Sequence, residues 1–158
     1  MTLTLPLAFI FLVYASIGLF AALGAISFHQ LVLKDNLSEQ RYNAALLPLI
    51  AVVYIPFTAH LSDGVSWSNE LIAIAIFVAL AVAGMFIRLA VVVGYLGHGL
   101  WDVVHELDPQ LLSDIWVPGQ LTGIPLAYGA FCLAYDGAIA VRLCVAKTSV
   151  SEEQKLDR

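Results

Sequence analysis

The sequence has little charge. Only 12% of its 158 residues are Asp, Glu, Lys or Arg, against about 25% in a soluble domain, which is too little to solvate a globular surface. Basic residues are the scarcest: seven Lys and Arg stand against twelve Asp and Glu, a formal net charge of −5. No basic cluster could follow a phosphate backbone, so nucleic acid is not an expected partner. The two cysteines, Cys132 and Cys144, lie about 18 Å apart along one apolar helix and cannot pair within it. With no CxxC spacing either, a secreted disulfide scaffold and a thiolate metal motif are both excluded. Also missing are H-E-x-x-H, G-x-S-x-G and a glycine-rich loop leading to a phosphate-binding lysine.

What is abundant is apolar sequence, 61% of the chain. Several windows hold well over about 15 apolar residues each, more than a soluble core of this size absorbs. The expectation is an all-α, polytopic transmembrane helical bundle: one domain over 1–147, then a polar cytoplasmic tail over 148–158. The first stretch, Leu5 to Leu33, has no basic residue before it, since Lys34 is the first Lys or Arg. It is also too long for a signal-peptide core, so it reads as a retained helix with its N-terminus outside. Within it, Gly18-x-x-x-Ala22 has the spacing of a helix-contact face.

Five spans are expected, near 6–33, 44–61, 71–86, 89–107 and 119–146, joined by a polar connection at Lys34–Asn43 and a turn-rich loop at Ser62–Asn69. Pro48 and Pro56 fall inside the second, where neighbouring helices can satisfy the freed carbonyls. The apolar region from Glu70 to Leu107 would form roughly 55 Å of straight helix against a hydrocarbon core of about 30 Å. A break near Gly84–Arg88 divides it into two spans. Four spans is the alternative, and basic-residue placement separates the two. With five spans all seven basic residues face one side, opposite Asp63, Glu70, Glu106, Asp108 and Asp114, so the positive-inside rule puts the C-terminus in the cytoplasm. Trp67 and Trp116 fall in the two outer loops, where amphipathic rings favour the interface. Arg88 and Arg142 read as snorkelling to the inner interface.

The polar residues left inside the spans carry any chemistry, because an ionisable group there is costly and faces the bundle interior. His98, Asp102 and His105 are spaced i, i+4, i+7, within about 60° on one helix face, with Tyr95 on the same stripe. On the last span Asp136, Cys132 and Pro125 share a face, with Tyr128 at its edge. Counting up from the inner helix ends, Asp136 and His98 both lie at about 15 Å, and Cys132 and Asp102 both near 21 Å. His60 lies close in depth to His105, the one histidine pair that could flank a haem.

DGAIAVR, Asp136 to Arg142, resembles the D-G-x-x-A-R opening of CDP-alcohol phosphotransferases but has one residue too many. In ingredients the cluster is similar to the ceramidase and adiponectin-receptor membrane hydrolases, which hold zinc with histidines and an aspartate; the spacings and span number differ. His98–Asp102–His105 followed by Phe131–Cys132–Tyr135–Asp136 resembles the H-x-x-x-D-x-x-H and F-C-x-x-Y-D pair of a family of small, uncharacterised bacterial integral membrane proteins. That resemblance covers roughly the last 60 to 70 residues and implies a class of protein without a mechanism.

Three readings follow. In the first, His98, His105, Asp136 and Asp102 bind a divalent metal such as zinc, with Asp102 and Asp136 as catalytic carboxylates acting on a lipid-like substrate that arrives laterally in a bacterial cytoplasmic membrane. In the second, the same groups form the relay of a proton- or cation-coupled carrier or carrier subunit. In the third, they are interhelical hydrogen bonds in a structural or assembly subunit. Membrane lipid is the expected partner, with a homo-oligomer or a larger membrane complex as the setting.

Overall fold

A computed structural model describes residues 5–33, 35–61, 66–106, 121–122, 124–125 and 127–156. Trp116, Asp63, Asp108 and Asp114 lie outside these residues. Among the described residues there are six α-helices, in the order α1 (Leu5–Phe28), α2 (Asn36–Ala51), α3 (Tyr54–Leu61), α4 (Trp67–Gly84), α5 (Arg88–Glu106) and α6 (Tyr128–Leu156). A π-helical turn, His29–Leu33, extends α1. Among the described residues there is no strand. Four segments are long and apolar enough to cross a membrane: Leu5–Leu33, Asn36–His60, Trp67–Gly84 and Tyr128–Ala146. The helix α5 is as long, but Arg88, His98, Asp102, His105 and Glu106 lower its hydropathy.

The interior is narrow and the outside is greasy. Apolar side chains such as Phe9, Phe20, Ile72, Val82, Leu100 and Val141 are exposed on the helices around the bundle. This arrangement suits a lipid solvent and would be insoluble in water. The helix α6 is central and packs along both α5 and α1. Small residues make that approach close. A methyl group on Gly18 would stand 2.2 Å from the Phe131 carbonyl oxygen, and Gly18 and Ala22 are the buried residues of α1. The Gly18-x-x-x-Ala22 face is therefore an α1–α6 contact.

The break expected near Gly84–Arg88 is present. The chain leaves α4 after Gly84 and re-enters helix at Arg88, with Met85 N–H still bonded to Ala81 and Ile87 N–H to Ala83. Four other expectations need correction. The stretch Lys34–Asn43 is not a connecting loop, because α2 starts at Asn36, capped by the Asp35 carboxylate on the N–H groups of Leu37 and Ser38. Hydrogen bonds from Ser38 also hold the Asp35 carboxyl below its ordinary pKa. The second span is not one helix, since it is interrupted at Val52 and Val53. Pro56 has no N–H to give Val52, whose carbonyl instead accepts from Ile55, as expected where a proline interrupts the helical ladder. At the other end of α4, Trp67 and Glu70 belong to the helix and not to a loop.

The last helix begins at Tyr128 and not near residue 119, so Pro125 precedes it and is exposed. Its start is marked by Ala127 at φ 62° and by the Glu106 carboxylate facing the N–H groups of Ala127, Gly129 and Ala130, an acid where the helix dipole favours one. Helix also continues through the expected polar tail as far as Leu156.

Candidate functional site

Each polar side chain of the interior reaches its partner through a helix face that the sequence spacing dictates. On α5, i, i+4 spacing stacks His98 beneath Asp102. Glycines bring α6 against that face: a methyl on Gly99 would meet Leu133 Cα at 3.1 Å and Asp136 Cβ at 3.3 Å, and one on Gly129 would meet the Asp102 carbonyl oxygen at 2.6 Å. Asp136 of α6 consequently sits beside His98. The imidazole Nδ1 is hydrogen-bonded to Asp136 Oδ2 at 2.9 Å and lies 3.3 Å from Asp102 Oδ2. His98 and Asp136 are 2% exposed and Asp102 is fully buried. The edge of Phe77 closes the histidine from the α4 side, with ring centroids 5.3 Å apart, and His98 Nε2 is buried without a hydrogen-bond partner.

The other oxygen of Asp102, Oδ1, accepts a hydrogen bond from the Tyr54 hydroxyl. The interruption before α3 is what turns Tyr54 inward, and the residue is 2% exposed. A phenol in an apolar span reads from sequence as an interfacial aromatic, and no pairing motif marks it. The two prolines around it, Pro48 and Pro56, were the available signal. Cys132 lies beside Asp102 and Tyr128, at the level that the depth count gave it.

His105 does not join His98. Its ring turns away: Nε2 lies 2.9 Å from Glu70 Oε1 and Nδ1 lies 2.7 Å from the Trp101 carbonyl oxygen. Glu70, expected as an outer loop acid, is 1% exposed and also accepts from the Thr122 N–H at 3.0 Å. A carbonyl only accepts, so Nδ1 donates to Trp101 and Nε2 is the nitrogen that faces Glu70. His105 and Glu70 are thus a buried hydrogen-bonded pair. The Tyr54 ring lies between the two groups, 4.6 Å from the His105 ring centroid. His60 is exposed and faces no interior histidine, so the haem pairing with His105 is not formed.

A second polar cluster sits at the opposite end of the bundle, where sequence spacing gave no hint of one. Glu39 of α2, 3% exposed, accepts from Arg142 Nε at 3.0 Å and Nη2 at 3.4 Å. Arg88 Nη2 is 3.9 Å from the same carboxylate, and His29 Nδ1 is 3.6 Å away. Arg88 and Arg142 therefore do not snorkel out. They turn in and bind helix ends together, Arg88 Nε donating to the Leu143 carbonyl at 2.7 Å. Gln40 and Asn43, also expected in a loop, are buried: Gln40 donates to the Gly84 carbonyl and Asn43 meets the Tyr95 hydroxyl at 3.3 Å.

Of the four sequence-level ligand candidates, His98, Asp102 and Asp136 come together, each offering one ligand-type atom within 4.8 Å of the others. No family model matches the chain, and comparison with curated proteins and with solved structures gives no match. The functional reading therefore rests on the site alone.

Removing the Tyr54 hydroxyl tests how the centre is held. Tyr54→Phe leaves Asp102 Oδ1 buried without its donor and should cost about 1.5–3 kcal/mol, the usual worth of a hydrogen bond to a charged group. Thermal unfolding in detergent checks this. An unchanged melting temperature would mean that Asp102 takes its second hydrogen bond elsewhere.

Proposed function

We propose that the chain is a five-span protein of a bacterial cytoplasmic membrane, N-terminus outside and C-terminus inside, that binds a divalent cation such as zinc between His98, Asp102 and Asp136. One observation carries this reading. Three ligand-type atoms converge within 4.8 Å on residues that are all buried, and among the described residues neither carboxylate is paired with a lysine or arginine. Two carboxyl groups facing one imidazole in an apolar bundle are short of positive charge. A divalent cation between them would supply it. One imidazole and two carboxylates suit zinc, and an ion with an open position lowers the pKa of a bound water toward about 7.

The substrate in this reading is lipid-like and enters sideways. A groove of about 460 Å³ opens between α4 and α5, lined by Ile72, Ile76, Gly97 and Trp101, and its wall is Phe77. That same ring lies against His98, so Phe77 stands between the groove and the centre.

Metal content tests the proposal. The full chain purified without chelator should carry about one zinc-class ion per chain by mass spectrometry, and His98→Ala and Asp136→Asn should each lose it, because three ligands is the minimum such sites keep. A preparation without metal, or metal unchanged in both variants, overturns it.

The relay reading has its own observation. From Asp102 the polar side chains continue through Tyr54 to His105, Glu70 and Thr122, toward the end of the bundle away from Glu39. Proton-coupled flux into vesicles should then fail in Asp136→Asn, and flux that survives the substitution removes this reading.

A further inference from the structure

The His98 centre has a fourth corner. Two of its ligand-type residues, His98 and Asp102, stand one turn apart on α5, and the third, Asp136, is on α6. One turn before Asp136 on the same helix is Cys132, at the i, i+4 spacing that sets two side chains next to each other on one face. The chain of α6 runs down as that of α5 runs up, because Gly99 lies against Leu133 and Asp136 while Gly129 lies against Asp102. The two pairs therefore match level by level. His98 meets Asp136 at 2.9 Å, and Asp102 meets Cys132, whose thiol donates to the Asp102 carboxylate and accepts from the Tyr128 hydroxyl.

The thiol is 6% exposed, and the Asp102 oxygen that faces His98, Oδ2, is buried without a hydrogen-bond partner. A thiolate site announces itself in sequence by paired cysteines, so a single cysteine completed by residues of another helix escapes that test. We propose, resting on the reading that this centre holds a divalent cation, that Cys132 is its fourth ligand and that the centre prefers a thiophilic ion of the zinc class to an oxygen-seeking ion such as manganese. Thiolate in the ligand set is what separates those two classes of metal.

On binding, the S–H bond breaks, its electron pair forms the sulfur–metal bond, and the proton leaves to solvent. Three anionic ligands then face the two charges of the ion. The excess negative charge lies where two phenols donate, Tyr54 to Asp102 and Tyr128 to the sulfur, and such outer partners hold metal ligands in place. Four protein ligands complete the tetrahedron that zinc favours, and water or substrate joins as a fifth.

Cobalt(II) reads the sulfur directly, because a cysteine thiolate on cobalt gives an intense near-ultraviolet charge-transfer band that carboxylate and imidazole ligands do not. The full chain in detergent, stripped with chelator, should develop this band up to about one cobalt per chain. Cys144→Ser, at the exposed cysteine of the same helix, should keep it. Cys132→Ser should lose the band and bind cobalt about 10–100-fold more weakly through the remaining ligands. Manganese should compete with cobalt at least about tenfold better in Cys132→Ser than in the wild type. Cobalt bound without the band, or a band that disappears in Cys144→Ser, overturns the fourth ligand and leaves His98, Asp102 and Asp136 as the site. No bound cobalt at all removes that site and this ligand together. The wild-type and Cys144→Ser spectra decide the matter even where Cys132→Ser does not fold.

Discussion

Glu39→Leu should be among the most damaging single substitutions in this protein, costing about 3–5 kcal/mol, the range for breaking a buried ion pair by removing one partner. The carboxylate meets Arg142 at 3.0 Å and Arg88 at 3.9 Å, so its loss strands two guanidiniums against apolar helix ends. Arg88 Nη2 already lacks a hydrogen-bond partner. Glu39→Gln should cost less, since the amide oxygen still accepts. Removing the charges together tests the cause: in a Glu39→Leu, Arg88→Met, Arg142→Met triple variant much of the loss should return, because interacting charges do not add. Thermal unfolding in detergent reads all three. A triple variant no more stable than Glu39→Leu would show that the cluster acts by packing and not by charge.

The second large effect is expected from a single methyl group. In Gly129→Ala the new Cβ would lie 2.6 Å from the Asp102 carbonyl oxygen and 2.9 Å from its carbon, both backbone atoms that cannot rotate away. The two helices must separate, and overpacking of this kind costs about 1–3 kcal/mol. The consequence for the centre should be larger than for stability. His98 and Asp102 are on α5 and Asp136 is on α6, so separating the helices lengthens the 2.9 Å contact between His98 and Asp136. Retained metal in Gly129→Ala should fall about 10–100-fold, the scale seen when supporting contacts of a metal site are lost. Gly137→Ala, with open space around it, should retain metal as the wild type does. Loss in both variants would point to a general effect of substituting α6.

The sequence showed the His98–Asp102–Asp136 group because two simple measures sufficed. Helical spacing placed the first two on one face, and counting residues from the helix ends brought the third to the same depth. His105 satisfied the spacing measure equally well yet pairs with Glu70. Its true partner was hidden by a boundary: the polar run from Ser62 to Asn69 looks like a loop, so an acid directly after it looks solvated. The first turn of α4 takes in part of that run. Glu39, Gln40 and Asn43 were lost for the same reason at the start of α2. Hydropathy marks where a helix becomes apolar, and these helices start one or two turns earlier, with polar residues that face inward. Tyr54 escaped for a different reason. It lies directly after the helix interruption at Val52 and Val53, which proline positions suggest but do not aim.

The turn between α4 and α5 has a bearing on how the chain enters a bilayer during synthesis. Phe86 and Ile87 are its middle, 81% and 57% exposed, and no polar side chain lies between Gly84 and Arg88. Such a turn suits lipid better than water, so α4 and α5 would be inserted as a hairpin. The helix α5 is costly to insert on its own, since it carries His98, Asp102 and His105 among its apolar residues, and ionisable groups oppose insertion. By the time it emerges, Tyr54 and Glu70 are already in place upstream, ready for Asp102 and His105. His98, Arg88 and Glu106 must wait for the last helix, which brings Asp136, the Leu143 carbonyl and the N–H groups at its start. The order of the helices in the chain thus shields the most polar span while the bundle is being assembled.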